Sequence, residues 1–176
     1  EVTIPPRLNH AISTSHTSSE GAILSQFFGC SAITTVTIMV PAVNPIFTDW
    51  IDNDLLKTNA VTKIILTLGV TDVADQSFRN KSSLLSIEFP ESAKRIGNLA
   101  FQNCTGLKEI NLAKGIASIA ANAFEGCDKL AAINVPEGNG LYSSKDGLLF
   151  NSSGETLIKC PEGKSAGLTL PEGVKT

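Results

Sequence analysis

Histidine is scarce in this chain, with only His10 and His16 among 176 residues. A cysteine or serine nucleophile needs an imidazole within hydrogen-bond reach. Both histidines stand near the N-terminus, far in sequence from Cys104 and Cys127. No G-x-S-x-G elbow, C-x-x-C pair or H-E-x-x-H motif occurs, which removes the usual hydrolase and zinc signatures. Gly29, Gly97 and Gly106 never combine into a phosphate-binding loop. Asp49, Asp52 and Asp54 gather around Trp50 without the glycine and distal glutamate of a calcium loop, and read as a solvated turn. These absences point away from catalysis, and no metal or cofactor is expected.

Other scarcities narrow the class further. Four cysteines are too few for a disulfide scaffold. No apolar run approaches membrane-spanning length; Ile64-Ile65-Leu66 is strand-sized and soon interrupted. The net charge is −3 and the basic residues are scattered, so the stripe that a nucleic-acid surface requires is missing. Glu1 opens the chain without an initiator methionine, which reads as a processed product or a trimmed segment. A signal peptide already removed would leave no trace.

What the chain does contain is a period. Leu84, Leu107 and Leu130 are spaced by 23 residues, and their surroundings repeat with them. Ile87, Ile110 and Ile133 match, as do Ile96 with Ile119, Phe101 with Phe124, and Cys104 with Cys127. One coil earlier, Val61, Ile64, Leu66, Val73 and Phe78 hold the same registers. A period of this length marks a stacked-coil protein, in which each repeat buries its apolar face only against its neighbours. The alternation at Ile87 and Phe89 describes a strand, and one strand per coil in a constant direction makes a parallel ladder with a rise of roughly 4.8 Å per coil. The Ala-Phe-x-x-Cys segments, Ala100 to Cys104 and Ala123 to Cys127, leave room only for a single helical or 3₁₀ turn.

Ile96-Gly97 through Ala100-Phe101 to Cys104 resembles the BspA-like leucine-rich repeat family, with Ile119-Ala120 a mild departure in the next coil. The resemblance covers 61–136 and extends back to Phe27-Phe28-Gly29-Cys30 followed by Ile33 to Ile38. It implies a leucine-rich-repeat solenoid of the right-handed β-α superhelix type: a parallel β ladder with short helical turns. It also implies an exported or cell-surface bacterial protein that binds other proteins, as members of the family tend to in adhesion. The expected organisation is one domain over 1–176: irregular N-terminal coils at 1–60, regular coils at 61–136, a hairpin insertion at 137–167, and the start of a further coil at 168–176. The hairpin is expected from two apolar runs, Tyr142 to Phe150 and Thr156 to Pro161, around a polar link at 151–155. Leu168-Thr169-Leu170-Pro171 restarts the strand pattern, and a coil cut at Thr176 would leave an open end suited to self-association.

Stacked Cys104 and Cys127 would lie within disulfide range, yet their side chains run parallel, and buried thiols are the favoured reading. Cys160 falls outside that register and is the accessible one. Three N-x-[ST] sequons, at Asn80, Asn103 and Asn151, carry no weight in so Ser/Thr-rich a chain. The candidate ligand face is the outer side of the ladder, where alternation places Lys63, Ser86, Glu88, Glu109, Asn111 and Asn134, beside Thr35, Thr37, Ile65 and Ala132. This mixed strip suits contact with a protein or a glycan. The alternative is a structural spacer of a larger surface protein, with no ligand of its own.

Overall fold

The structure is a computed structural model that describes residues 2–4, 34–38, 61–164, 170–171 and 173–175. The Phe27–Cys30 junction, the histidines, the Asp49–Asp54 cluster and Leu168-Thr169 lie outside the described residues.

Four strands stack in parallel order: β1 (Val2–Ile4), β2 (Thr35–Ile38), β3 (Lys63–Leu66), and β5 (Ser86–Glu88), which follows the shorter β4 (Asp72–Val73) in the chain. Ile64 pairs with Val36 on one side and Ile87 on the other, the register read from the repeat. Further along, β7 (Glu109–Asn111) and β9 (Ala132–Asn134) pair in parallel, with Ile110 opposite Ile133. All four isoleucines point inward and are buried. Across the coil, β4, β6 (Arg95–Ile96) and β8 (Ser118–Ile119) form a second parallel ladder, aligning Val73, Ile96 and Ile119. The coils are thus bound on two sides, as expected of a parallel β-solenoid.

The main ladder is not continuous. Leu85 N–H donates to Thr62 C=O and Ala131 N–H to Lys108 C=O, each at 2.8 Å, but β5 and β7 belong to separate sheets. That step coincides with Phe89, which occupies the register of Leu66, Leu112 and Val135 and turns its ring edge-on to Phe101 at 6.3 Å. The second ladder runs unbroken through the same level.

The expected helical turns are corrected: no described residue is helical, and the Ala-Phe-x-x-Cys segments are successions of turns. The reason is visible in the amides. Those of Ser77 and Arg79 donate within the coil to Ala74 and Gln76, while those of Gln76, Phe78 and Asn80 donate to Asn98, Ala100 and Gln102 of the next coil. A helix needs consecutive amides to bond internally. Here every second one is committed to the stack. Gln76, Asn80, Leu99 and Asn103 also have φ of 54–61°, a conformation that cannot continue a right-handed turn. Asn80, Asn103 and Gly126 share one register, and all three are residue types that tolerate positive φ.

The hairpin expected across the polar link at 151–155 forms, and a second one, not expected, precedes it. The run from Tyr142 to Phe150 is itself a hairpin, β10 (Tyr142–Lys145) paired antiparallel with β11 (Leu148–Asn151) through Asp146-Gly147. Both turn residues have positive φ, 52° and 76°, as a two-residue type I′ connection requires. The strand β12 (Leu157–Lys159) then adds to β11. This sheet sits at the last coil: Ile133 N–H donates to Gly147 C=O, and Val135 N–H to the Ser144 hydroxyl. Leu149 joins the solenoid core. Of the expected strand at 168–171, only Leu170 and Pro171 are described, and neither is in a strand; Thr156 instead bridges in parallel to Lys175.

Gly97 lies at one of the close approaches between coils. A Cβ there would stand 2.3 Å from Asp75 Oδ1 and 2.6 Å from Asp75 N. Because one of these is backbone, Gly97→Ala is expected to destabilise the fold by about 1–3 kcal/mol through overpacking. Urea unfolding at constant m-value measures it; an unchanged midpoint would show that the coil yields without cost.

Candidate functional site

Strand alternation positions the outer face. With Ile64, Ile87, Ile110 and Ile133 turned inward, the residues on either side of each must turn outward. Lys63, Ser86 and Asn134 are half-buried there, while Glu88, Glu109 and Asn111 are exposed. The structure therefore brings all six candidate residues to one side of the solenoid, with Lys63 opposite Ser86 and Asn111 opposite Asn134.

Their interactions divide the strip in two. Lys63 Nζ reaches diagonally to Glu88 Oε1 at 2.6 Å. Both side chains are substantially exposed, at 39% and 55%, so the pair contributes less than about 1 kcal/mol. Asn134 Nδ2 donates to Asn111 Oδ1 at 2.9 Å, a carboxamide rung on the outer face. The break between β5 and β7 separates the two pairs and leaves Glu88 and Glu109 facing its two sides. Thr37, at the N-terminal end of the strip, has a buried hydroxyl oxygen without a partner among the described residues.

A second polar cluster, not singled out from the sequence, lies at the small ladder. Asp75 accepts from Arg95 at 2.6 Å and from both the backbone and the carboxamide of Asn98. Those hydrogen bonds, led by the Asn98 carboxamide, hold the Asp75 carboxyl below the usual range despite an opposing contribution from partial burial. Asp75 and Asn98 share a register, and that column of short polar side chains was the available signal. The groups satisfy one another, which is structural work.

The cysteine ladder is likewise structural. Cys104 Sγ donates to Phe78 C=O at 3.1 Å and Cys127 Sγ to Phe101 C=O at 3.0 Å. Both thiols are free and buried, and Cys160 is half-buried. Among the described residues no group of three His, Cys, Asp or Glu side chains is placed to hold a metal. The concavity lined by Val61, Ile64, Lys81, Ser83 and Leu84 has no room for a single water. No helix of the described residues is long and apolar enough to cross a membrane.

With this geometry established, the relatives are informative. A family model for the BspA type leucine rich repeat region, in six copies, matches residues 49–164, more than half of the chain. No curated protein matches. Among solved structures, a leucine-rich repeat protein from Eubacterium ventriosum is similar at 21% identity and a TM-score of 0.58, over 81% of this chain and 43% of that one. A leucine rich cell surface protein from Faecalibacterium prausnitzii is similar at 25% identity and a TM-score of 0.55, over 98% of this chain and 53% of that one. The pneumococcal vaccine antigen PcpA is similar at 21% identity and a TM-score of 0.50, over 81% and 40% respectively. This chain thus spans about half or less of each of these neighbours. The matched family is a repeat region, and no catalytic family is indicated. The 23-residue coils, their stacked aromatic and thiol columns, and the family match agree: the chain belongs to the BspA type leucine-rich repeat family.

Proposed function

We propose that the chain is a non-enzymatic interaction module of a secreted or cell-surface bacterial protein. It binds a protein or glycan through the outer strand face carrying Lys63, Ser86, Glu88, Glu109, Asn111 and Asn134. The carrying observation is the assembly of these six side chains on one accessible face of a solenoid. Repeat proteins use such extended surfaces for recognition. The cell-surface protein and the vaccine antigen among the structural neighbours support the location.

The spacer reading keeps one observation in its favour. Lys63 with Glu88, and Asn111 with Asn134, satisfy each other, as the side chains of a plain solvated face do. An array of matrix proteins and glycans probed with the intact protein separates the two. For any ligand captured, Glu109→Lys combined with Asn111→Lys is expected to weaken binding about tenfold or more, while Glu125→Lys on a turn segment leaves it unchanged. Binding indifferent to the ladder-face variant would refute this face, and no capture at all would leave the spacer reading.

A further inference from the structure

Where the chain passes from the last described coil into the hairpin, one side chain makes four hydrogen bonds. Asn139 Nδ2 donates to Lys114 C=O at 3.0 Å and to Ile116 C=O at 2.8 Å. Its Oδ1 accepts from the backbone N–H of Leu141 and of Tyr142, both at 2.9 Å. Two donated and two accepted bonds use the full capacity of a carboxamide. One coil earlier the equivalent level is tied by backbone alone, with Ala117 and Ser118 N–H donating to Lys94 C=O. Here the chain leaves the solenoid path to enter β10, and the Asn139 side chain takes over from the backbone.

The residue that follows is Gly140. It is exposed, its amide has no hydrogen-bond partner among the described residues, and the position a Cβ would occupy is empty. We propose that Asn139-Gly140 is a deamidation site, and that its conversion unfastens the hairpin from the last coil. The deprotonated Gly140 backbone nitrogen attacks Asn139 Cγ and forms a C–N bond, placing negative charge on Oδ1. The Leu141 and Tyr142 amides already aimed at that oxygen stabilise it as it develops, in the manner of an oxyanion hole. The Cγ–Nδ2 bond then breaks, and the nitrogen leaves as ammonia after taking up a proton. Water hydrolyses the cyclic imide at either carbonyl, leaving aspartate or isoaspartate at position 139. No electron is transferred, and water is the only co-reactant.

The product cannot remake the junction. A carboxylate has no donor for Lys114 and Ile116 C=O, and it sets negative charge against two carbonyl oxygens. The hairpin contacts at Ile133 and Val135 then lose their anchor, and β9 gains an unpaired edge.

The test is incubation of the intact protein at mildly alkaline pH, followed by peptide mapping and hydrogen exchange. The amide-to-acid mass shift is expected at Asn139 several-fold faster than at Asn98, Asn111 or Asn134, with an isoaspartate fraction. Exchange at Ile133, Val135 and Tyr142–Asn151 should rise in step. Gly140→Ala fits the empty space and should slow conversion several-fold while leaving the unincubated hairpin protected. Asn139→Asp should show the loss of protection from the start. An Asn139 that persists while other asparagines convert would overturn the proposal. So would conversion that leaves hairpin exchange unchanged.

Discussion

Replacing Phe101 with alanine is expected to lower the unfolding free energy by about 3–5 kcal/mol. Its ring is fully buried between two others, Phe78 at 5.4 Å and Phe124 at 5.5 Å, both stacked, with Phe89 edge-on. Each aromatic pair contributes about 0.5–1.5 kcal/mol beyond the area it buries. The cost falls at the upper part of the range when a site cannot collapse, and this one is held open by backbone. Phe101 N–H donates to Ala123 C=O, while its own carbonyl accepts from Cys104 N–H and from the Cys127 thiol. The coil therefore cannot slide inward to fill the cavity without breaking bonds to the following coil. Urea unfolding measures the effect, and a loss under about 1 kcal/mol would mean that the aromatic column is not core. Phe124→Ala removes the end of the described column and should cost less, since only one stacked partner is lost.

The columns behind this prediction were legible because a repeat multiplies each weak signal. A single Leu-x-x-Ile is ambiguous between helix and strand; the same pattern at 84, 107 and 130, with Phe and Cys at fixed offsets, is not. What the period cannot carry is how alternate amides divide between their own coil and the next. That division turned the expected helical turns into runs of simple turns. The hairpin across the polar link at 151–155 was legible from the two apolar runs that flank it, but the one that precedes it was not. Asp146-Gly147 was a turn signal inside an apparently continuous run, Tyr142 to Phe150, and the apolar pattern outweighed it. The break between β5 and β7 had no counterpart in the sequence beyond the larger side chain at Phe89.

For the candidate face, strand parity alone placed all six side chains on one side, because Ile87 and Ile110 inward forces Ser86, Glu88, Glu109 and Asn111 outward. Their pairings were not legible. Lys63 crosses diagonally to Glu88 instead of meeting Ser86 opposite, a choice set by side-chain reach and charge. The accessible charge left on the strip is thus concentrated at Glu109, next to the break. A partner that reads this face would meet at Glu109 an exposed carboxylate with no ion pair among the described residues, beside two internally satisfied pairs, which is why the charge reversal there is the informative substitution.

Stability is expected to fall steeply as the medium is made alkaline, and the cysteine ladder is the cause. Burial, reinforced by the neighbouring Cys127, pushes the Cys104 thiol up to about 12 from an ordinary 9.0. Burial likewise raises Cys127 to about 11. Ionisation would strip each thiol of the proton it donates to Phe78 or Phe101 C=O and leave an uncompensated charge in the core. The sign follows from proton counts. Between about pH 9 and the raised values the unfolded chain has released these protons and the folded chain still holds them. The unfolded state therefore binds fewer protons, and stability declines with rising pH. The contribution is fully present below about pH 9 and is lost as pH passes through the folded values. For Cys104 alone the slope is about 1.4 kcal/mol per pH unit, reaching about 4 kcal/mol in full, and Cys127 adds in the same direction. Urea unfolding under reducing conditions from about pH 8 to about pH 11 checks this against a variant carrying Cys104→Ala and Cys127→Ala. The variant starts less stable because two packed side chains are gone, but its decline should be markedly shallower, since the two proteins differ only at these thiols. Parallel declines would mean that the thiols ionise as readily folded as unfolded, and that their burial carries no electrostatic consequence.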